Sequence, residues 1–268
     1  MKILVPVKRV AALEDDFRIG DDGRDVVPDD LNHDLNEWDN FSLEQAVLIK
    51  EAASSEVQVV AVAVGAEECD EVLRACLAKG ADRAVRVWDD SIAGSDPIAI
   101  ARILAAVARR ETPGLVLAGA QSSDHGHATT GIALAAVLDW PHVAVVTGLK
   151  YNAGDARATA TRELEGGVMQ EVDVACPAVL TIQLGINKPR YASLRAIKQA
   201  AGKPIEALGL GELGLAREQV GEAGSASCVR RVSIPEKGRA EMIEGTAQEK
   251  AQRLAQIIRD FTAEKRAA

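Results

Sequence analysis

Residues 57–87, VQVVAVAVGAEECDEVLRACLAKGADRAVRV, contain the pattern that decides the fold of this chain. Residues 57–64 form an apolar run rich in valine and closed by a glycine, which predicts a buried strand. Residues 67–78 repeat apolar side chains along one face, which predicts an amphipathic helix, and residues 84–87 predict a second strand. A strand, a helix and a strand in succession are typical of a parallel sheet with crossover helices.

The same alternation extends on both sides of this segment. Further strands are predicted at 3–7 and 115–118, and further helices at 42–53, 98–109 and 130–138. Ser42 is the candidate N-cap of the first helix, because Gln45 follows at the spacing of a capping box. Residues 13–40 are acidic and contain Gly and Pro, so they predict loops or a hairpin outside the core.

The pattern changes after His142. The strands predicted there lie at 143–146, 158–164, 170–174 and 178–182. No helix is predicted between these strands, so we expect antiparallel pairing. Residues 204–227 are rich in Gly and Ala with weak periodicity, which predicts a linker or an extended arm. Residues 246–263 place apolar side chains on one face of a helix, which a partner subunit is expected to cover.

Charge and composition exclude several classes of protein. A net charge of -9 argues against binding to nucleic acid or to an anionic membrane surface. The first ten residues lack the long apolar core of a signal peptide, and we expect no membrane insertion. The four cysteines form no CxxC pair and have no zinc spacing, so reduced thiols in a cytoplasmic protein are expected.

One loop is a candidate phosphate site. This glycine-rich loop (residues 119–131, GAQSSDHGHATTG) follows a predicted strand and runs into a predicted helix. Its backbone N–H groups, its hydroxyls and the positive end of the helix dipole would suit a phosphate. The spacing is neither GxGxxG nor a Walker A motif. An ordinary polar loop that caps the helix through Thr129 or Thr130 remains the alternative.

The same loop raises two chemical possibilities that we do not favour. Asp124, His125 and His127 would need a third ligand and an orienting set of partners to hold a metal, and His33 and His142 are distant in sequence. A triad of Ser122, His125 and Asp124 fails because residues so close in sequence cannot place base and nucleophile correctly. Polar loop side chains are the preferred interpretation, and no metal ligand is assigned.

Two further segments have alternative interpretations. Trp38, within DLNEWDNF at 34–41, either packs on a flat ring or another chain, or covers a local apolar patch. Residues 184–198, LGINKPRYASLRAIK, mix basic and apolar side chains in an acidic chain. They are a candidate docking loop for an acidic partner, or else the start of a helix with solvated charges.

Several stretches carry a family resemblance that covers essentially the whole chain. They are MKILVPVKRV, DLNEWDNFSLEQA, CLAKGADRAVRV, AGAQSSD, LDWP, PAVLTIQLGINKPRYASLRAIKQA and SIPEKGRAEMIEG. These segments resemble the β subunits of electron-transfer flavoproteins. The details are most similar to the methylotroph type that accepts electrons from trimethylamine dehydrogenase.

The resemblance implies an α/β fold in which residues 1–203 form a parallel-sheet, Rossmann-like, adenine-nucleotide-binding domain with an antiparallel extension. Residues 204–268 would form an arm and a C-terminal helix that pack on an α subunit. The resemblance implies AMP in this chain and FAD held mainly by the α subunit, in a carrier without catalytic residues. Electrons would come from a trimethylamine, dimethylamine or histamine dehydrogenase and pass to the electron-transfer flavoprotein–quinone oxidoreductase. Alternatives are an electron-bifurcating relative with a second FAD in place of AMP, and a stand-alone nucleotide sensor.

The resemblance also assigns site residues. AMP contacts are expected at Pro6, Asn36, Glu37, Trp38, Asp39, Val64, Gly119, Ala120, Gln121, Ser122, Ser123, Asp124, His125, Gly126, His127, Ala128, Thr129 and Thr130. Glu37 and Trp38 stand where the family has Pro and Phe. Leu13 and Trp38 would lie near the FAD. Docking residues would be Tyr191, Leu194, Arg195 and Ile197, with Leu194 as the apolar anchor.

Overall fold

The computed structural model describes residues 1–12, 17–27, 31–235 and 240–267, with side chains described as far as residue 262. It forms two compact units, Met1–Arg231 and Val232–Ala268. In its described part, the strands are β1 (Lys2–Pro6), β2 (Arg9–Ala12), β3 (Asn32–Leu35), β4 (Gln58–Val64), β5 (Arg83–Val87), β6 (Leu115–Gly119), β7 (His142–Lys150), β8 (Arg157–Leu164), β9 (Val168–Ala175), β10 (Ala178–Ile182) and β11 (Ile205–Leu208). The helices are α1 (Glu37–Ala52), α2 (Asp70–Ala78), α3 (Pro97–Glu111), α4 (Thr130–Leu138), α5 (Leu194–Ala201), α6 (Leu210–Leu213), α7 (Gly221–Gly224) and α8 (Ala247–Ala267).

The first unit is built on a large, mostly parallel sheet. Its strand order in the described residues is β11-β5-β4-β1-β6-β10-β7-β8-β9. Every neighbouring pair from β11 to β7 is parallel, and only the pairs β7–β8 and β8–β9 are antiparallel. This arrangement confirms the predicted α/β fold class with an antiparallel extension.

Strand order reverses at β1. The chain adds β4 and β5 on one side of β1, and then adds β6 and β10 on the other side. Because the flanking connections diverge there, a crevice opens at the carboxyl ends of β1 and β6, where open α/β sheets bind ligands.

Two apolar clusters cover the two faces of the sheet. Ile3 and Val5 of β1 belong to one cluster, which includes buried residues of α1 and α2. Leu4, between them in sequence, belongs to the other cluster, which includes buried residues of α3 and α4. Successive side chains of a strand point to opposite faces, so β1 is buried on both sides. Each fully buried Leu or Ile contributes about 1.5–3 kcal/mol of stability.

The first helix begins five residues earlier than predicted. It starts at Glu37, with Asn36 at the N-cap position. Ser42 is completely buried inside the helix, and its hydroxyl donates to the carbonyl oxygen of Trp38 at 3.1 Å. The predicted Ser42 cap is therefore wrong, because burial of the first turn of α1 outweighs a local capping pattern. Trp38 accordingly lies in a helix and not in a polar loop.

The prediction of antiparallel pairing for all strands after His142 is also wrong. β10 lies between β6 and β7 and is parallel to both. The β8–β9 hairpin takes the place of a helix in the connection from β7 to β10. The absence of a helix between β7 and β10 therefore did not mean that these two strands are antiparallel. A hairpin can also connect two parallel strands.

The segment 204–227 is not a linker, so that prediction is wrong. β11 extends the sheet as a parallel edge strand beside β5. Leu208, Leu210 and Val220 are buried in the same apolar cluster as the residues of α3. Short elements joined by tight turns lack the long periodicity by which sequence patterns reveal a helix.

Three further predictions concern residues 13–40, the C-terminal helix and membrane-spanning segments. Within residues 13–40, strand β3 pairs antiparallel with β2, which precedes the segment, and Ile19 forms an antiparallel bridge with Val26, in agreement with a hairpin; residues 13–16 and 28–30 lie outside the described structure. The end of the segment is not a loop outside the core, because α1 begins at Glu37 and both Asn36 and Asp39 are buried. The predicted C-terminal helix corresponds to α8 of the second unit, where Leu254, Ile257 and Ile258 are exposed. Within the described residues, none of the helices is both long and apolar enough to cross a membrane.

Candidate nucleotide site and docking loop

A cavity of about 660 Å³ lies at the carboxyl ends of β1, β4 and β6, beside the first turn of α4. Ligand pockets for small molecules have volumes of about 300–1,000 Å³, so the space is suitable for one. Its apolar wall includes Pro6, Val62, Val64, Ile100 and Leu104. Its polar wall includes Lys8, Asn36, Asp39, Gln121, Ser122, His125, His127, Thr129 and Thr130.

Asp39 ties together the two strands on which the cavity rests. Its carboxylate accepts hydrogen bonds from the backbone amides of Lys8, just after β1, at 2.8 Å and Gly119, at the end of β6, at 3.1 Å. A Cβ atom on Gly119 would lie 2.3 Å from Asp39 Oδ1, so only glycine fits at the end of β6. Burial raises the pKa of Asp39 to about 7, although hydrogen bonds from Lys8, Asn36 and Gly119 oppose this rise.

Asp39 should make stability fall as the pH rises. Between its unfolded pKa of about 3.8 and its folded pKa of about 7, the folded state holds a proton that the unfolded chain has lost. The stabilisation is complete below pH 3.8 and is lost as the pH rises through 7. We expect the difference in unfolding free energy between wild type and Asp39→Asn to shift against wild type by on the order of 2 kcal/mol from pH 5 to pH 8.

Urea titrations of the purified proteins at both pH values measure this difference. Asp90→Asn is the matched control, because it makes the same substitution at an exposed aspartate. A wild-type stability that tracks that of Asp39→Asn across the range would contradict the buried, protonated carboxyl group.

Asn36 shapes the glycine-rich loop. Its side chain is almost completely buried. The Nδ2 group donates to the carbonyl oxygen of Gln121 at 2.9 Å, and Oδ1 accepts from the amide of Ser123 at 3.2 Å. One side chain thus satisfies two backbone groups of the loop, which otherwise lacks regular structure between β6 and α4.

A charged cluster stands at the rim of the cavity. Lys8 Nζ lies 2.7 Å from an Asp124 carboxylate oxygen and 3.1 Å from His125 Nδ1. Burial tends to raise the pKa of Asp124, but hydrogen bonds from His125, Lys8 and Ser122 outweigh it and hold the pKa well below its usual range. Among the residues that the structure describes, no group of three or more His, Cys, Asp or Glu is arranged to hold a metal ion.

The N-terminus of α4 faces the cavity without a side-chain cap. Thr129 occupies the N-cap position, but its hydroxyl donates to the carbonyl oxygen of His127 at 2.6 Å and does not cap the helix. The alternative in which Thr129 caps α4 is therefore wrong. Helix N-termini attract anions through free amides and the helix dipole. A Cβ atom on Gly131 would lie 2.5 Å from Thr181 Cγ2, so this glycine lets α4 pack closely on β10.

A strap that sequence reasoning missed completes the cavity. The strap (residues 225–229) is held by Asp96, whose Oδ2 accepts from the amides of Ala226 and Ser227, each at 2.9 Å. Asp96 Oδ1 caps α3 by accepting from the amides of Ile98 and Ala99. The Asp-Pro pair at 96–97 is an N-cap followed by proline, which could have revealed the helix start. Nothing local to residues 225–229 indicates their position.

The structure brings many of the expected AMP contacts together, though not all. Those that line the cavity are Pro6, Asn36, Asp39, Val64, Gly119, Ala120, Gln121, Ser122, His125, His127, Ala128, Thr129 and Thr130. Those outside its lining are Glu37, Trp38, Ser123, Asp124 and Gly126. The Trp38 indole nitrogen donates to Gln183 Oε1 at 2.7 Å, which turns the ring toward the end of β10. Leu13 lies outside the described residues.

The expected docking residues form an exposed, partly apolar surface around the start of α5. Tyr191 is 96% exposed and Leu194 is 80% exposed, while Ile197 is about half exposed. Arg195 is exposed beside them. Ser193 caps α5 by accepting from the amide of Ala196 at 3.2 Å, so Leu194 is the first residue of the helix. Unlike scattered surface leucines, these apolar side chains are close together on one short segment.

The sheet and the cavity define the class of Rossmann-like α/β proteins. Comparison with known proteins narrows this class. The model of the electron transfer flavoprotein domain matches residues 25–213. The chain is 61% identical to the electron transfer flavoprotein subunit beta of Methylophilus methylotrophus, covering 97% of this chain and 99% of the relative.

More distant relatives agree. Identity is 38% to the subunit beta of Bradyrhizobium diazoefficiens, covering 76% of this chain and 80% of the relative. Identity is 36% to the subunit beta of Homo sapiens, covering 80% of this chain and 84% of the relative. The chain belongs to the electron transfer flavoprotein family, as a β subunit.

Proposed function

We propose that this chain is the AMP-binding half of a heterodimeric electron carrier and that it helps to enclose an FAD held mainly by the α subunit. The observation that carries the proposal is the cavity at the strand-order reversal beside β1. Its apolar wall at Pro6, Val64 and Ile100 suits the flat face of an adenine. The uncapped amides of α4 and the Lys8 side chain suit a phosphate.

The flavin, when bound between the two subunits, would store the electrons. The residues of this chain are proposed to bind AMP, to help enclose the flavin and to dock the dehydrogenase. Trp38 is proposed to face the flavin side of the subunit, although its ring is already oriented by Gln183. The chain is proposed to act in the cytoplasm as a carrier without catalytic residues of its own.

The proposed partners correspond to two exposed apolar surfaces. The first is the docking loop, which is proposed to seat Leu194 in an amine dehydrogenase specific for trimethylamine, dimethylamine or histamine. The second is the apolar face of α8, which carries Leu254, Ile257 and Ile258 and is proposed to pack on the α subunit. Residues 204–231 belong to the first unit, so the arm that was expected over residues 204–268 is proposed to comprise only residues 232–268. The proposed acceptor is the electron-transfer flavoprotein–quinone oxidoreductase.

Counting released nucleotides tests the proposal. The chain is co-expressed with its α subunit, the purified dimer is denatured, and nucleotides are quantified by chromatography. One FAD and one AMP per dimer are expected. Two FAD and no AMP would replace the carrier with an electron-bifurcating protein. A stable monomer without nucleotide would contradict both functions.

A further inference from the structure

The base of the docking loop is fastened to α1 by Arg190. The guanidinium binds Glu44 through Nε at 2.9 Å and Nη2 at 3.0 Å, and it binds Glu51 through Nη1 at 2.6 Å and Nη2 at 2.9 Å. The Arg190 backbone amide also donates to Glu44 at 3.0 Å. Asn187 adds a bond from its Nδ2 group to the carbonyl oxygen of Phe41 at 3.0 Å. We call the set of Arg190, Glu44 and Glu51 the clamp.

These contacts bind the Arg190 side chain within its own subunit. Glu44 is only 6% exposed, so its charge requires a partner, and Arg190 forms a bidentate ion pair with it. The guanidinium of Arg190 is always charged, and its hydrogen bonds to Glu51 and Glu44 raise its pKa further. Among the basic residues of the docking loop, Arg195 by contrast is exposed beside Leu194 and is available to a partner.

The clamp stands immediately before the exposed docking residues. Residues 186–193 form no helix or strand, and Tyr191 and Leu194 come one and four residues after Arg190. A segment without regular structure loses conformational entropy when it docks, and that loss weakens binding unless the segment is already ordered. A fixed point at Arg190 therefore limits the entropy that the next few residues can lose.

We infer that Arg190, with Glu44 and Glu51, is a positioning residue that orders the docking loop before a dehydrogenase binds. Its side chain contacts α1 and not the partner, so it acts through the placement of Leu194. This inference rests on the proposed docking function. Lysine would replace arginine only in part here, because an ammonium group keeps the charge but cannot form two parallel pairs of hydrogen bonds to separate carboxylates.

The experiment measures reduction of the purified heterodimer by trimethylamine dehydrogenase, with the heterodimer as the varied substrate. We expect Arg190→Gln to raise KM about tenfold while kcat stays within about twofold, and Arg190→Lys to give an intermediate KM. FAD and AMP content should remain as in wild type. Arg110→Gln is the matched control, since Arg110 also forms an ion pair with a glutamate but lies outside the docking loop.

Leu194→Ala, measured in parallel, distinguishes a failure of the clamp inference from a failure of the docking function. If Leu194→Ala raises KM and Arg190→Gln does not, the clamp inference is wrong and the docking function stands. If Leu194→Ala leaves KM unchanged, the docking function is wrong and the inference falls with it. Should Arg190→Gln fail to assemble, Glu51→Gln decides, because Glu51 is exposed and its loss leaves no buried charge. A KM raised about threefold by Glu51→Gln supports the clamp, and an unchanged KM overturns it.

Discussion

We expect Gly119→Ala to lower the free energy of unfolding by about 3 kcal/mol, the upper end of the usual cost of overpacking, and to release the AMP that is proposed to bind in the cavity. The new Cβ atom would lie 2.3 Å from Asp39 Oδ1 and 2.8 Å from Trp38 Cβ. Neither atom can move easily, because Asp39 accepts two backbone hydrogen bonds and Trp38 Cβ is fixed to the helix backbone. Relief of the clash requires β6 to separate from the start of α1, which opens the cavity.

Urea unfolding and chromatographic measurement of released AMP test Gly119→Ala in the purified heterodimer. Gly211→Ala is the matched control, since a Cβ atom there meets nothing within 4 Å. That control should keep its AMP and its stability. Full AMP content and unchanged stability in Gly119→Ala would contradict the role of this close contact.

We expect Leu194→Ala to weaken the proposed docking to an amine dehydrogenase by about 30-fold or more without changing the stability of the heterodimer. A buried apolar anchor at the centre of an interface typically contributes about 2 kcal/mol or more, and each 1.4 kcal/mol is a factor of about ten. Leu194 is 80% exposed in the free chain, so its truncation removes little packing. Exposed substitutions of this kind change stability by less than about 0.5 kcal/mol.

Steady-state reduction by trimethylamine dehydrogenase measures the KM for the variant heterodimer. Met169→Ala is the control, because Met169 is another large exposed apolar side chain and lies in β9, outside the docking loop. Equal KM values for the two variants would show that Leu194 has no special role. A loss of FAD or AMP in Leu194→Ala would instead indicate a structural role.

Helix α1 serves both proposed functions. Its first turn carries Asp39, which holds the ends of β1 and β6 together beneath the cavity. About one and a half turns further along, Glu44 binds Arg190 at the base of the docking loop. The cavity and the docking loop therefore depend on the placement of one helix, and correct docking presupposes a correctly packed α1.

Local patterns were sufficient for the central architecture. Valine-rich runs such as β4 are buried on both faces, and a short apolar run dominated by β-branched residues favours a buried strand over a helix. Amphipathic helices between such strands require a parallel sheet with crossovers, so the fold class could be predicted from periodicity alone. The glycine-rich loop was also recognisable, because a strand, a Gly-rich segment and a helix in succession place the loop at a ligand-binding edge.

The α/β class, the glycine-rich loop and the mixed basic and apolar character of the docking loop could therefore be predicted, because each depends on residues close together in the chain. Four features became visible only in the folded chain: the start of α1, the parallel placement of β10, the strap held by Asp96 and the clamp formed by Arg190. Each of these depends on partners far apart in the chain, such as Asp39 with Gly119 at a separation of 80 residues, or Arg190 with Glu44 at 146. The energies of these long-range contacts arise from burial and from pairing across the fold, which cannot be predicted from a local sequence pattern.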